Sequence, residues 1–205
     1  MTESGHLYVI AAPSGGGKTS LVKALLAAEP QLALSVSHTT RPPRPNELDG
    51  REYHFVTPEV FAQRVLADGF LEHAQVFDNH YGTGREQVEA QLAAGRNVIL
   101  EIDWQGARQV RQARPDTRSI FILPPSLATL RQRLEGRATD SPQVIARRLA
   151  DAQGDMSHCL EFDYAVINED FGRALADLQR IIAGQGPSLR ADRPELAPLL
   201  ANLLA

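Results

Sequence analysis

Lysine is almost absent from this sequence: among 21 basic residues only Lys18 and Lys23 are lysines, and the rest are arginines. Set against 25 acidic residues, for a formal net charge of -4, this leaves no basic bias of the kind a general nucleic-acid binder carries. Cysteine occurs once, at Cys159, so no internal disulfide can form, and a buried bystander thiol in a reducing compartment is expected. No apolar run approaches bilayer-spanning length, and the N-terminal stretch MTESGHLYVIAAPSGGG lacks the charged start and hydrophobic core of a signal peptide. The expectation is a cytoplasmic protein with no membrane partner. Repeats and low-complexity tracts are missing too, and the histidines (His6, His38, His54, His73, His80, His158) show no metal-ligand spacing.

What is present is an ordinary globular composition, 43% hydrophobic and 22% charged over 205 residues, enough for one well-buried core. HLYVIAA, RNVILEID, RSIFILPP and FDYAVINED are continuous apolar runs without alternation, which predicts strands covered on both faces. Helical spacing follows or precedes them in KTSLVKALLAAEP, closed by Pro30, and in REQVEAQLAAG, closed by Gly95. The fold class expected is therefore α/β, with a three-layer core around a parallel sheet. Two segments interrupt the rhythm. Residues 35–85 carry turn formers and aromatics and read as an inserted small subdomain; residues 127–153 read as two arginine-studded amphipathic helices, a candidate lid. The tail ends in a short apolar helix with Pro194 near its start.

The stretch AAPSGGGKTS has the strand-loop-helix setting of a phosphate-cradling loop, although Ala12 stands where the first glycine of G-x-x-x-x-G-K-[ST] is written. Glycines lacking a Cβ let backbone N–H groups converge on anionic oxygens, and the helix that follows adds its positive end. Ser14, Gly15, Gly16, Gly17, Lys18, Thr19 and Ser20 are thus candidates for a nucleoside triphosphate, with Lys18 reaching the terminal phosphates and the Thr19 hydroxyl on Mg²⁺. VILEIDWQG supplies Glu101 and Asp103 on one side of a strand end, where a carboxylate could orient the hydrated ion directly or through water. DWQG also fits the D-x-x-G of GTP hydrolases. The N-K-x-D segment such an enzyme uses to read guanine is missing, since neither lysine follows asparagine.

A second anion site is suggested by Arg41 and Arg44 in a proline-stiffened loop with Tyr53 nearby; the alternative is a solvated basic loop. APSGGGKTSL, VSHTTRPPRPNELDGREYHF, FLEHAQVFDNHYGT, EIDWQGARQVR, RSIFILPPS, RLEGRATDS and FDYAVINEDF, in that order, resemble the guanylate kinase family over about residues 7 to 182. The resemblance implies a single domain over 1–205: a P-loop core (1–34, 86–126, 154–205), a GMP-binding subdomain (35–85) and a helical lid (127–153). It implies ATP-dependent phosphorylation of GMP and dGMP, with Mg²⁺, in purine nucleotide metabolism. By the same resemblance Ser37, Arg41, Arg44, Glu47, Tyr53, Glu72, Tyr81, Gly82, Thr83 and Asp103 hold GMP, with Ser37, Glu72 and Thr83 reading the base. Arg133, Arg137 and Arg148 join Lys18 and Arg41 at the transferring phosphoryl group, and Asn168 lies near the ATP adenine. The substrates are small molecules, and a homo-oligomer is left open. A P-loop kinase of a phosphorylated sugar, or a related interaction module without catalysis, remain the competing readings; the first need not keep Glu72 and YGT, the second typically loses P-loop or lid groups.

Overall fold

The computed structural model describes residues 4–76, 78–136 and 141–205, without the side chain of Pro142. In chain order the elements are β1 (Leu7–Ala11), α1 (Lys18–Ala28), β2 (Leu32–Leu34), β3 (His38–Thr39), β4 (His54–Phe55), α2 (Pro58–Leu66), β5 (Phe70–Val76) and β6 (Asn79–Gly84). There follow α3 (Arg85–Ala93), β7 (Asn97–Glu101), α4 (Trp104–Ala113), β8 (Arg118–Leu123), α5 (Leu127–Glu135), α6 (Pro142–Ser157), β9 (Tyr164–Ile167), α7 (Phe171–Ile182) and α8 (Ala197–Leu204). The protein is α/β: a parallel sheet in the order β2-β7-β1-β8-β9, and a separate mixed sheet in the order β4-β3-β6-β5. The four apolar runs of the sequence become β1, β7, β8 and β9. Every residue of β1 is buried, as is nearly all of β8, which is why neither alternates.

Two compact units divide the chain. In the first, built mainly from Pro30–Leu100 with Gln105–Thr117, β2 runs parallel to β7. In the small sheet of that unit, β3 pairs parallel with β4 and antiparallel with β6, and β5 pairs antiparallel with β6 as the edge strand. The helix α2 opens on Thr57, whose hydroxyl accepts from the Val60 N–H, with Pro58 in the first turn. Its one buried side chain, Phe61, stacks on Phe70 with ring centroids 4.6 Å apart.

The second unit comprises Val9–Glu29, Glu101–Trp104 and Arg118–Ala205. Here β8 and β9 pair in parallel, and the ladder runs on past β9, where the Asn168 N–H donates to the Leu123 carbonyl at 2.8 Å. The Asp170 side chain caps α7, whose Ala174, Leu178 and Ile181 are buried. Leu130 and Leu134 of α5 are fully buried, so this helix is anchored by its own core face. The terminal α8 packs on α6, with the Gln153 side-chain amide donating to the Leu203 carbonyl at 3.3 Å, a partner the sequence pattern left open. Burial pushes the Cys159 thiol up to about 12, an unreactive bystander as expected. Among the described residues no helix is long and apolar enough to cross a membrane.

Candidate active site

The second unit holds the glycine loop. Gly15 and Gly17 have φ values of 83° and 89°, a left-handed backbone that side chains disfavour. The Gly16 N–H closes a turn onto the Pro13 carbonyl at 2.9 Å, which helps set the shape of the loop. The N–H groups of Lys18, Thr19 and Ser20 open α1 and have no acceptor within the helix, as in the first turn of any helix. A cavity of ≈ 250 Å³ is lined, among the described residues, by residues 12–15 and 17–20.

Three side chains fix this loop. Asn168, buried at the end of β9, donates from Nδ2 to the Gly16 carbonyl at 2.9 Å. Leu130 and Leu134 of α5 lie against Gly15, where an added Cβ would come within 3.0 and 3.1 Å of them. Asn168 in turn is held through its backbone carbonyl by Arg133 Nη2 at 2.8 Å. Arg133 Nη1 is buried without a partner among the described residues.

Lys18 donates from Nζ to the Ile102 carbonyl at 2.8 Å. Its burial drives the pKa down, opposed by the nearby carboxylates of Glu101, Asp103 and Asp155. The Thr19 hydroxyl donates to a Glu101 carboxylate oxygen. Asp155 was not among the expected residues. Its carboxyl pKa is raised, first by desolvation and then by Asp103 and Asp151, while a hydrogen bond from the Trp104 indole and the Lys18 charge act the other way. The Trp104 ring stacks on His158 at 3.5 Å, an interplanar angle of 13°. Helical phase carried a signal for Asp155: it follows Arg148 by seven residues on α6, two turns further on the same face.

The first unit gathers a different set. Strand register puts Thr39 opposite Phe55 and Tyr81, and Glu72 opposite Thr83. Because side chains alternate, these share one face of the small sheet, while His38, His54, His73 and Gly82 share the other. The Thr83 hydroxyl donates to Glu72 Oε1 at 2.6 Å, both residues being buried. Gly82 is a glycine for packing: a Cβ there would meet Phe70 at 3.0 Å and Phe61 at 3.2 Å.

Arg41 is held on four sides. It pairs with Glu47 Oε1 at 2.9 Å, donates to the Pro42 carbonyl at 2.7 Å, and lies 5.5 and 5.8 Å from the ring centroids of Tyr53 and Phe55. Hydrogen bonding to Glu47 leads the causes that raise its pKa, with Tyr81 contributing. Glu47 is held below its usual range by Arg41 first and by the Arg44 backbone N–H, which donates to Oε2 at 2.7 Å. Glu47 therefore acts as the brace of the two arginines. Tyr53 and Tyr81 meet edge to face at 5.8 Å. Thr39, whose hydroxyl accepts from the Arg41 N–H at 3.1 Å, joins the set unforeseen.

Of the residues singled out from sequence, Ser37, Arg41, Arg44, Glu47, Tyr53, Glu72, Tyr81, Gly82 and Thr83 belong to the first unit. Ser14 to Ser20, Glu101, Asp103, Arg133, Arg148 and Asn168 belong to the second, which places Asp103 with the lysine rather than with the other acceptor candidates. Arg137 lies outside the described residues.

Comparison with known proteins bears directly on these two sets. A family model described as guanylate kinase matches residues 4–185. A guanylate kinase of Alkalilimnicola ehrlichii is 56% identical over 200 residues, covering 98% of both chains. That of Escherichia coli K12 is 50% identical over 203 residues, again covering 98% of both. The crystal structure of a guanylate kinase from Anaplasma phagocytophilum superposes with a TM-score of 0.73 at 32% identity, covering 97% of this chain and 95% of that one.

Proposed function

The chain belongs to the guanylate kinase family, and on that premise we propose how its own residues carry the reaction ATP + GMP = ADP + GDP. The protein is an enzyme that moves a phosphoryl group from ATP to GMP. The proposal concerns which side chains do what.

The donor triphosphate is held by the loop from Ser14 to Ser20, with Lys18 exchanging the Ile102 carbonyl for phosphate oxygens. Arg133, whose Nη1 is buried without a partner among the described residues, Arg137 and Arg148 offset charge on the transferring group, in the lid over 127–153. Asn168 keeps the loop in shape beside the adenine. The acceptor lies in the subdomain over 35–85. Arg41, Arg44, Tyr53 and Tyr81 take its phosphate, braced by Glu47. A phosphate monoester has a second pKa of about 6, so the nucleophile is already largely dianionic at neutral pH and no general base is needed. Ser37, Glu72 and Thr83 read the base. Guanine presents N1–H and an amine side by side, both donors to the Glu72 carboxylate, whereas adenine offers an acceptor at N1 that would leave the buried carboxylate unpaired. None of these groups reads the sugar, so dGMP is accepted as well.

The donor set beside the loop fits Mg²⁺. The Thr19 hydroxyl and Glu101 carboxylate are hard oxygen ligands in mutual contact, and no cluster of three or more carboxylate, histidine or cysteine side chains able to hold a metal occurs among the described residues. Mg²⁺ in such enzymes keeps waters and phosphate oxygens and needs only one or two protein oxygens. Bound there, it would neutralise charge on the donor phosphates, with Glu101 and Asp103 orienting its water.

The observation that carries the reading is the coexistence of a lysine-bearing anion loop with a separate carboxylate-hydroxyl pair, Glu72 and Thr83, on a small sheet in the unit that also holds Arg41 and Arg44. Substituting Lys18→Ala is expected to lower kcat by at least about a hundredfold while GMP affinity stays within twofold. Turnover at the parent rate would overturn the role of Lys18.

A further inference from the structure

Strand β5 carries Glu72 and forms the edge of the small sheet, so one of its two hydrogen-bonding edges has no neighbouring strand among the described residues. Its register is irregular: Phe70 faces Gly84 but Glu72 faces Thr83, so a bulge falls between Phe70 and Glu72. A bulge re-aims the side chain that follows it, and an edge strand offers outward backbone groups that a neighbouring side chain can hold to fix its register.

A slip here would be costly to recognition. Because side chains alternate, moving β5 by one residue carries Glu72 to the opposite face and brings a neighbour, Leu71 or His73, opposite Thr83. Nothing in the sheet hydrogen bonds of β5 to β6 alone distinguishes the two registers.

A hydrogen-bonding side chain on α4 does, beside the Phe61–Phe70 stack and the Thr83–Glu72 bond that favour the same register. The Gln109 side chain accepts at Oε1 from the His73 N–H and donates from Nε2 to the His73 carbonyl, both at 3.1 Å. A primary amide offers one donor and one acceptor in the plane and spacing of a peptide group, so Gln109 docks on the free edge as a one-residue strand. The residue it grips is the one immediately after Glu72. In an antiparallel ladder, backbone groups that point away from one neighbour alternate with those that point towards it, so only every second residue presents both groups outward. A one-residue slip would therefore take both partners from Gln109 at once.

We propose that Gln109 is a specificity-positioning residue, whose side-chain amide fixes the register of β5 so that Glu72 faces Thr83 and reads the guanine. It touches neither substrate. The inference rests on the base-reading role of Glu72 proposed above. Both residues, the clamp and the strand it holds, lie in the same compact unit.

The test compares Gln109→Met, which keeps side-chain length and helix propensity without either hydrogen bond, with Gln109→Glu, which sets a carboxylate oxygen against the His73 carbonyl. Steady-state kcat/KM is measured for GMP and AMP, alongside KM for ATP. Gln109→Met should lower the GMP-to-AMP ratio about tenfold, through a higher KM for GMP, with KM for ATP within twofold; Gln109→Glu should lower it further. Hydrogen exchange of the His73 amide in the parent protein gives a readout independent of any variant: protection is expected, and its loss in Gln109→Met. An unprotected His73 amide in the parent, or a ratio unchanged within twofold in both variants, overturns the proposal. Glu72→Gln, assayed in parallel, separates the two layers. If it lowers the ratio while the Gln109 variants do not, the clamp is wrong and base reading stands; if it leaves the ratio intact, base reading itself is wrong.

Discussion

Replacing Gly17 with alanine should damage the enzyme through Asn168, a residue 152 positions from the carbonyl it supports. Two costs arise. The backbone at Gly17 has φ 89° and ψ 13°, where an L-residue costs about 1–2 kcal/mol. The new Cβ would also sit 2.3 Å from Asn168 Nδ2, so that amide must move and its bond to the Gly16 carbonyl is lost. Leaving a buried carbonyl unpaired costs about 1–3 kcal/mol. Together they destabilise by about 3 kcal/mol, which for a chain of 205 residues lowers Tm by about 6–12 °C. In an Asn168→Ala background only the backbone cost remains for Gly17→Ala, so the double variant should lose less than the two single losses combined, by about 1–3 kcal/mol. Urea unfolding of the four proteins measures this coupling. If Gly17→Ala costs the same in both backgrounds, Asn168 does not hold the loop and the reasoning fails.

Other outcomes follow from the same structure. Burial lowers the His38 pKa from 6.5 to about 4, with Arg64 and His54 adding to the shift and Asp49 opposing it. The unfolded chain therefore takes up a proton that the folded one resists, and stability should fall as pH drops from 6.5 towards 4, by at most about 3 kcal/mol. Denaturant titrations across that window, with His38→Gln flattening the profile, check it; parallel profiles would contradict it. Arg41→Lys keeps the charge but loses the fork to Glu47 and the Pro42 carbonyl, so KM for GMP should rise at least about tenfold with KM for ATP within twofold. An unchanged KM for GMP would remove Arg41 from the acceptor set.

The parts of this fold legible in the sequence are those with a local cause. Continuous apolar runs gave β1 and β7 to β9, Pro30 and Gly95 marked helix ends, and the glycine-lysine run marked the loop before α1. Acceptor residues were reached by resemblance, and alternation along the small sheet explains why Thr39, Tyr81, Glu72 and Thr83 share a face. What escaped was set by distant contact. Asn168 grips Gly16, Gln109 grips His73, and Asp155 stands by Lys18 only because the chain folds. No periodicity announces such pairs. The bulge before Glu72 depends on how β5 meets β6, which neither strand encodes alone. Glu47, expected in the acceptor site, also braces Arg41 and Arg44, which requires knowing where its two oxygens point.

The central claim is that a buried carboxylate, Glu72, selects guanine on an enzyme whose glycine loop carries the donor. It is met most directly by coupled ADP production with GMP, dGMP, AMP, CMP and UMP as acceptors at matched concentrations. The account predicts that GMP and dGMP are used, with kcat/KM for GMP exceeding that for AMP by at least about a thousandfold, the scale on which sites built to hydrogen-bond a substrate reject one lacking the groups. AMP, CMP or UMP turned over within tenfold of GMP would contradict it.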